Sequence, residues 1–138
     1  MSLIIYTNQA GGLSIVIPTG ELPIDEVAAK DVPAGADYAI VEDDAVPPDR
    51  TFRAAWVLHN GTVEHDLYKC KEIAHKMRRA MRAAEFAPHD DIIAKQIPGI
   101  DPSAAEAARQ EIRLKYAAMQ VAIDSATSPE EIKAALNA

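Results

Sequence analysis

Residues 56–81 read WVLHNGTVEHDLYKCKEIAHKMRRAM, and the hydrophobic spacing changes within this stretch. Before Asp66 the apolar residues fit short β-strands, and Asn60-Gly61 is a strong turn signal because both residues tolerate positive φ. From Leu67 onward, apolar residues recur every three or four positions, which is the spacing of a helix face. The stretch therefore predicts an α+β protein with a β-rich module over residues 1–64 and a helical region over residues 65–138.

The front module is predicted to be a small antiparallel sheet with one short helix. β-branched runs separated by turn residues indicate the strands, and proline followed by two acidic residues favours a helix at Pro23–Lys30. The expected strands are Leu3–Tyr6, Leu13–Ile17, Asp37–Glu42, Thr51–Leu58 and Thr62–Glu64.

The back region is predicted to form a helical hairpin or a helical arm, with helices at about 66–86, 103–126 and 129–136. Pro88 is expected to end or kink the first helix, and a separate short helix is expected at Asp90–Gln96. Ser103 and Glu106 stand in capping-box order, and Ser128 is a good N-cap for the last helix.

Narrow apolar stripes follow the two longer helices, and they are rich in Met and Ala. Aromatic residues make up only 5% of the chain, so such stripes bury little area when they pack on each other. We expect at least one stripe to bind a partner, either a second copy or another protein, although the two stripes could instead close on each other. The stripe residues are Leu67, Cys70, Ala74, Met77, Met81 and Ala84, then Ala105, Ala108, Ile112, Tyr116, Met119 and Ile123.

The net charge of −7 is unevenly distributed. Residues 1–64 contain 10 acidic and 3 basic residues, whereas residues 65–86 contain 3 acidic and 6 basic ones. An acidic front argues against nucleic-acid binding, which needs a basic surface. The basic run from Lys69 to Arg82 is expected to be a solvated face, or one that pairs with an acidic surface elsewhere in an assembly.

Groups that could perform chemistry are few and poorly spaced. His65 and His75 are too far apart for a helical metal pair, and Glu42-Asp43-Asp44 lacks the glycine and alternating ligands of a calcium loop. His89-Asp90-Asp91 fits a helix cap or solvated loop better than a metal site. Cys70 has no histidine at a catalytic spacing and fits a buried thiol. We therefore expect that the protein is not an enzyme and that it binds no cofactor and no metal ion.

The first residues lack a basic stretch and a long apolar run, so no signal peptide and no membrane span are expected. A single cysteine excludes an internal disulfide and fits a reducing compartment.

The most distinctive stretches are Val32-Pro33-Ala34-Gly35 and, after a strand, Asp49-Arg50-Thr51-Phe52-Arg53-Ala54-Ala55-Trp56. Their order resembles a group of small proteins encoded in tailed phages and prophages beside tail-fibre or tail-tip genes. The likeness covers residues 25–85, and more loosely the C-terminal Ala126–Lys133.

This resemblance implies a non-enzymatic protein of the tail region, either a minor tail or tail-fibre-associated component or a tail-fibre assembly chaperone. The implied partner is a tail or tail-fibre protein, met in the host cytoplasm during assembly or in the virion tail. The alternative is a phage-encoded inhibitor that binds a host protein. On a strand, Phe52 and Trp56 would face the core, against the helix at Pro23–Lys30. Arg53 and Trp56 could instead form a binding hot spot.

Overall fold

The computed structural model describes residues 1–138, which divide into two compact units, Met1–Cys70 and Lys71–Ala138. All β-strands belong to the first unit, and the second unit is helical. The predicted α+β class, with antiparallel sheet in front and helices behind, is confirmed.

The first unit contains two antiparallel sheets. A three-stranded sheet has the order β2-β1-β3, formed by β1 (Ser2–Thr7), β2 (Leu13–Val16) and β3 (Tyr38–Glu42). A two-stranded hairpin joins β4 (Trp56–His59) to β5 (Thr62–His65). Its turn has positive φ at Asn60 (50°) and Gly61 (78°), which confirms the turn predicted from the sequence.

Strand β1 is central and is buried on both faces. Leu3 and Ile5 belong to one hydrophobic cluster together with Trp56, while Ile4 packs on the other face against α1 (Ile24–Asp31). Successive side chains of a strand point to opposite faces, which separates the two clusters. The predicted packing of Trp56 against this helix is therefore wrong, because Trp56 lies on the face opposite α1.

The strand predicted at Thr51–Leu58 is also wrong in its first half. Arg53–Ala55 is a 3₁₀ turn, and β4 begins only at Trp56. The cause is local: the Asp49 carboxylate accepts hydrogen bonds from the Thr51 backbone N–H (3.0 Å) and hydroxyl (2.6 Å). Such side-chain to backbone hydrogen bonds favour a turn over an extended strand.

Three helices follow the sheets. They are α2 (Leu67–Lys95), which begins within the first unit, and then α3 (Ser103–Ser125) and α4 (Pro129–Leu136). At 1.5 Å per residue α2 is about 43 Å long. None of the helices is both long enough and apolar enough to cross a lipid bilayer.

The predicted break at Pro88 does not occur, and the separate helix at Asp90–Gln96 is the end of α2. Proline removes one backbone hydrogen bond and tends to kink a helix. Ion pairs to α3 lie on both sides of it: Glu85 Oε1 is 2.9 Å from Lys115 Nζ, and Asp90 Oδ1 is 3.0 Å from Arg109 Nε. These tertiary contacts hold the helical path across the proline.

The two predicted N-caps differ in outcome. Ser128 caps α4, since its hydroxyl accepts a hydrogen bond from the Glu131 backbone N–H at 3.2 Å. Ser103 does not cap α3; Pro102 is the N-cap and makes no side-chain cap hydrogen bond. The Asp101 carboxylate instead accepts a hydrogen bond from the Ser103 backbone N–H at 2.9 Å, so the serine lies inside the first turn.

Candidate functional site

Helices α2 and α3 lie antiparallel in the second unit. His75 contacts Asp124 near the start of α2, and Asp90 contacts Arg109 near its end. Residues later in α2 therefore contact residues earlier in α3, which is the antiparallel order. This pairing brings basic side chains of the two helices to one shared face.

The buried row on α2 differs from the predicted stripe. Cys70, Ala74, Arg78 and Phe86 are buried, and their spacing is four residues or a multiple of four. The predicted alternation of three and four fails at Met77, which is 37% exposed, and at the exposed Ala84. Rows four residues apart form the ridges by which helices of globular proteins commonly interlock, which explains the departure from the coiled-coil spacing.

Arg78 is the one charged residue buried in the chain, at 9% exposure. Its Nε donates a hydrogen bond to His75 Nδ1 at 3.3 Å, and His75 Nε2 lies 2.7 Å from Asp124 Oδ1. Because Arg78 Nε is a donor, His75 Nδ1 accepts this hydrogen bond, and Nε2–H is left to donate one to the Asp124 carboxylate. These contacts hold Arg78 in place, and Arg78 also lines a groove between α2 and α3.

This groove, which we call the arginine groove, consists of two adjoining cavities of about 440 and 350 Å³ between α2 and α3. The cavities share Arg82, Ala83 and Arg113 as walls. Both helices contribute guanidinium groups. The arginines that line the groove are Arg78, Arg79, Arg82, Arg109 and Arg113.

Phe86 is the aromatic centre of these cations. The guanidinium carbon of Arg82 lies 4.6 Å from its ring centroid, and those of Arg109 and Arg113 each lie 5.9 Å away. A cation above an aromatic face is attracted by the ring quadrupole. Phe86, buried at 8% exposure, therefore helps to hold like charges together that would otherwise repel.

Carboxylates neutralise only the arginines of α3. Glu106 lies 2.8 Å from Arg109 Nη1 and 3.2 Å from Arg113 Nη1, and Asp90 Oδ1 lies 3.0 Å from Arg109 Nε. The pKa of Glu106 is lowered, first by its hydrogen bond from Arg113 and then by the charge of Arg109. The α2 arginines, Arg78, Arg79 and Arg82, form no ion pair with a carboxylate.

An exposed apolar strip lies beside the groove on α3. Leu114 and Val121 are 63% and 67% exposed, and they lie two turns apart on one side of the helix. At about 100° per residue, both project within about 60° of Ala117, which lines the groove. The arginine groove and this Leu114–Val121 strip therefore form one surface with a cationic part and an apolar part.

Tyr116 closes the floor of the groove, with 1% exposure. Its hydroxyl is buried and has no partner at hydrogen-bonding geometry, although the Glu85 carboxylate lies near it. Burial raises the pKa of Tyr116, and the neighbouring Glu85 carboxylate raises it further. A buried hydroxyl without a partner is unusual and costs stability.

The residues predicted to bind a partner fall into three groups. Most of them are interior. Met77 is exposed, and Leu67, Met81 and Arg53 are half-buried. The interior ones are Cys70, Trp56, Ile112, Tyr116, Met119 and Ile123. A binding role for any of these residues stays a prediction.

Trp56 and Arg53 lie together in the first unit. Trp56 is fully buried, and its Nε1 donates a hydrogen bond to His65 Nε2 at 3.1 Å. The guanidinium carbons of Arg53 and Arg50 lie 4.8 and 5.9 Å from its ring centroid. Arg53 and Lys69 also line a separate cavity of about 280 Å³.

The sequence interpretation missed the arginine groove. The basic run of α2 was predicted to be a solvated face or one that pairs with an acidic surface elsewhere in an assembly, and no role was predicted for Arg109 or Arg113. The available signal was the pair of one-turn repeats, Arg78 with Arg82 on one helix and Arg109 with Arg113 on the other. Recognising it would have required the antiparallel register of the helices.

No group of three or more His, Cys, Asp or Glu side chains is placed to hold a metal ion. Comparison of the chain with protein-family models, with curated proteins and with solved structures finds no match.

Proposed function

We propose that this protein is a non-enzymatic accessory protein of the phage tail region that acts by binding another protein. It would be a minor tail or tail-fibre-associated component or a tail-fibre assembly chaperone. The phage context rests on the resemblance around Asp49–Trp56. The mode of action rests on the surface that combines the arginine groove with the Leu114–Val121 strip.

That surface supports protein binding because it has the composition of an interaction site. Arginine is enriched at binding hot spots, and exposed apolar side chains beside it supply area that is removed from water on binding. Arg79 and Arg82 have no carboxylate to neutralise them. Leu114 and Val121 are the most exposed large apolar residues of the second unit.

The test is a deletion of the gene in a phage or prophage that carries it, followed by mass spectrometry of purified particles. Recovery of the chain in particles supports a structural component, and its absence together with fibre failure supports a chaperone. Complementation with Leu114→Asp/Val121→Asp should then fail, whereas Ile97→Asp/Ile100→Asp, a matched pair of apolar-to-acidic changes at exposed residues outside the groove lining, should complement. Equal complementation by both variants contradicts binding through this surface.

A second candidate is a phage-encoded inhibitor of a host protein. The acidic first unit favours it, since residues 1–70 contain 11 acidic and 4 basic residues. Such a surface could mimic a polyanion and compete for a basic site. Absence of the chain from particles, together with normal fibres after deletion, would favour this role.

A further inference from the structure

We propose that the arginine groove binds an acidic α-helical segment of a partner protein, with carboxylates spaced one helical turn apart and apolar side chains beside them. This inference rests on the proposed protein-binding function and specifies the chemistry of the partner. The groove's unpaired guanidinium groups and its apolar flank are the two observations that select this ligand.

The charges in the groove are arranged for carboxylates. Glu106 already bridges Arg109 and Arg113, at 2.8 and 3.2 Å, so the α3 wall accepts a carboxylate in paired geometry. The α2 wall presents Arg79 and Arg82 with no such partner. Arginine forms planar, two-pronged hydrogen bonds with carboxylates. Carboxylates of a partner would therefore pair with Arg79 and Arg82 on α2 as Glu106 pairs with Arg109 and Arg113 on α3.

The spacing of the arginines matches a helix. The unpaired arginines of α2, Arg79 and Arg82, are three residues apart, or about 4.5 Å along the axis, and Arg109 and Arg113 of α3 are four residues apart, or about 6 Å. Acidic residues at positions i and i+3 or i and i+4 of a bound helix have the same spacings. From Arg78 to Asp90 the groove spans about 18 Å, the length of about 12 helical residues.

The apolar flank distinguishes a protein ligand from a nucleic acid. Leu114 and Val121 have nothing to contact on a phosphate backbone, whereas the apolar face of an amphipathic helix would cover them. The overall charge agrees: the chain carries −7, and residues 71–138 contain 10 acidic and 10 basic residues. A nucleic-acid site needs a broadly positive surface.

The experiment measures fluorescence anisotropy of labelled 16-residue probes titrated with the purified full-length protein at 50 and 200 mM salt. One peptide places Glu at i, i+4, i+7 and i+11 with Leu beside them. A second has the same composition in an order that removes the one-turn spacing. The third probe is a 16-nucleotide single-stranded DNA.

The ordered peptide is expected to bind at least tenfold more tightly than the reordered peptide and the DNA at 200 mM salt. Arg79→Gln/Arg82→Gln should weaken its binding at least about tenfold, because both cations are lost from one wall. Lys76→Gln/Lys95→Gln removes the same charge from α2 outside the groove lining and should leave binding unchanged. Leu114→Ser/Val121→Ser should also weaken binding.

Three results would overturn the proposal: equal binding of both peptides, tighter binding of the DNA, or unchanged binding by the Arg79/Arg82 variant. Circular dichroism checks that each variant retains its helices. Failure here leaves the proposed tail function open, because the deletion experiment tests it without reference to ligand chemistry. Conversely, peptide binding by a protein whose deletion has no effect on particles supports this site while contradicting the tail role.

Discussion

The two units of the chain distribute charge in opposite ways. Residues 1–70 carry the whole net charge of −7, whereas residues 71–138 are neutral in sum. Yet the neutral unit has the more organised charges, since five arginines line one groove and only two carboxylates pair with them. The binding surface proposed for the second unit thus depends on the local arrangement of charges, whereas net charge alone would have directed attention to the first unit.

The units also differ in how their interiors are built. The first contains the only tryptophan, fully buried among branched aliphatic residues of two sheets. The second is assembled from single residues one or two turns apart along helices, including Ile112, Tyr116 and Ile123. The largest losses of stability should therefore come from substitution of Trp56 in the first unit and of Ile123 in the second.

Trp56→Ala should lower the free energy of unfolding by about 3–5 kcal/mol, because it leaves a cavity and removes the partner of His65. Chemical denaturation followed by circular dichroism measures the loss, and hydrogen exchange of the β1 and β4 amides locates it in the first unit. Tyr68→Ala, which removes an aromatic side chain that is 71% exposed, should change stability by less than about 0.5 kcal/mol. A loss below 1 kcal/mol for Trp56→Ala would contradict its central position.

Ile123→Ala should cost about 2–5 kcal/mol, since the side chain is fully buried. Val121→Ala lies two residues away on the same helix, is largely exposed, and should cost less than about 0.5 kcal/mol. Thermal denaturation of both variants shows whether the apolar stripe of α3 packs in the interior of the unit or binds a partner. Similar small losses in both would revive the expectation that the α3 stripe forms an interface.

Tyr116→Phe is expected to leave stability unchanged or to raise it by up to about 1 kcal/mol. The buried hydroxyl has no hydrogen-bond partner, so its removal relieves a desolvation cost while the ring keeps its packing. The measurement is the urea midpoint of the variant against the unaltered chain. A loss of more than 1 kcal/mol would mean that the hydroxyl donates to Glu85 in solution.

Much of the fold could be predicted because local signals agreed with tertiary structure. The Asn60-Gly61 hairpin, the helix after Pro23 and the Ser128 cap each depend on a few neighbouring residues. The errors arose where distant contacts or local hydrogen bonds prevailed. Asp49 folds the Thr51 region into a turn, and ion pairs to α3 carry α2 past Pro88.

The candidate site was harder to predict because hydrophobic periodicity assigns arginine to the solvent. Arg78 violates that rule: it is buried through its bond to His75, which Asp124 supports from another helix. The face chosen from apolar residues alone therefore ran through Met77 instead. Sequence spacing could place the arginines on each helix, but only the register of α2 against α3 brings them together.

The smallest expected effect concerns two carboxylates, Glu85 and Glu106, that form ion pairs with cations of α3. The pKa values of Glu85 and Glu106 are lowered below 4.5 by hydrogen bonds from Lys115 and Arg113, respectively. A carboxyl whose folded pKa is lowered contributes stability that is fully present above its unfolded pKa and is lost as pH falls through the folded value. The thermal midpoint should therefore fall as the pH is lowered through and below the usual range of a glutamate carboxyl.

Glu85→Gln/Glu106→Gln should reduce this acid sensitivity only slightly, because both carboxylates are solvent-exposed and screened. Glu111→Gln is the matched control, since that carboxylate lies on α3 and pairs with no cation. Scanning calorimetry at several pH values compares the three proteins. If the double variant and the unaltered chain show the same pH dependence, solvent screening cancels the stabilisation from these ion pairs. The arginines of α3 would then be as available to a partner's carboxylate as those of α2.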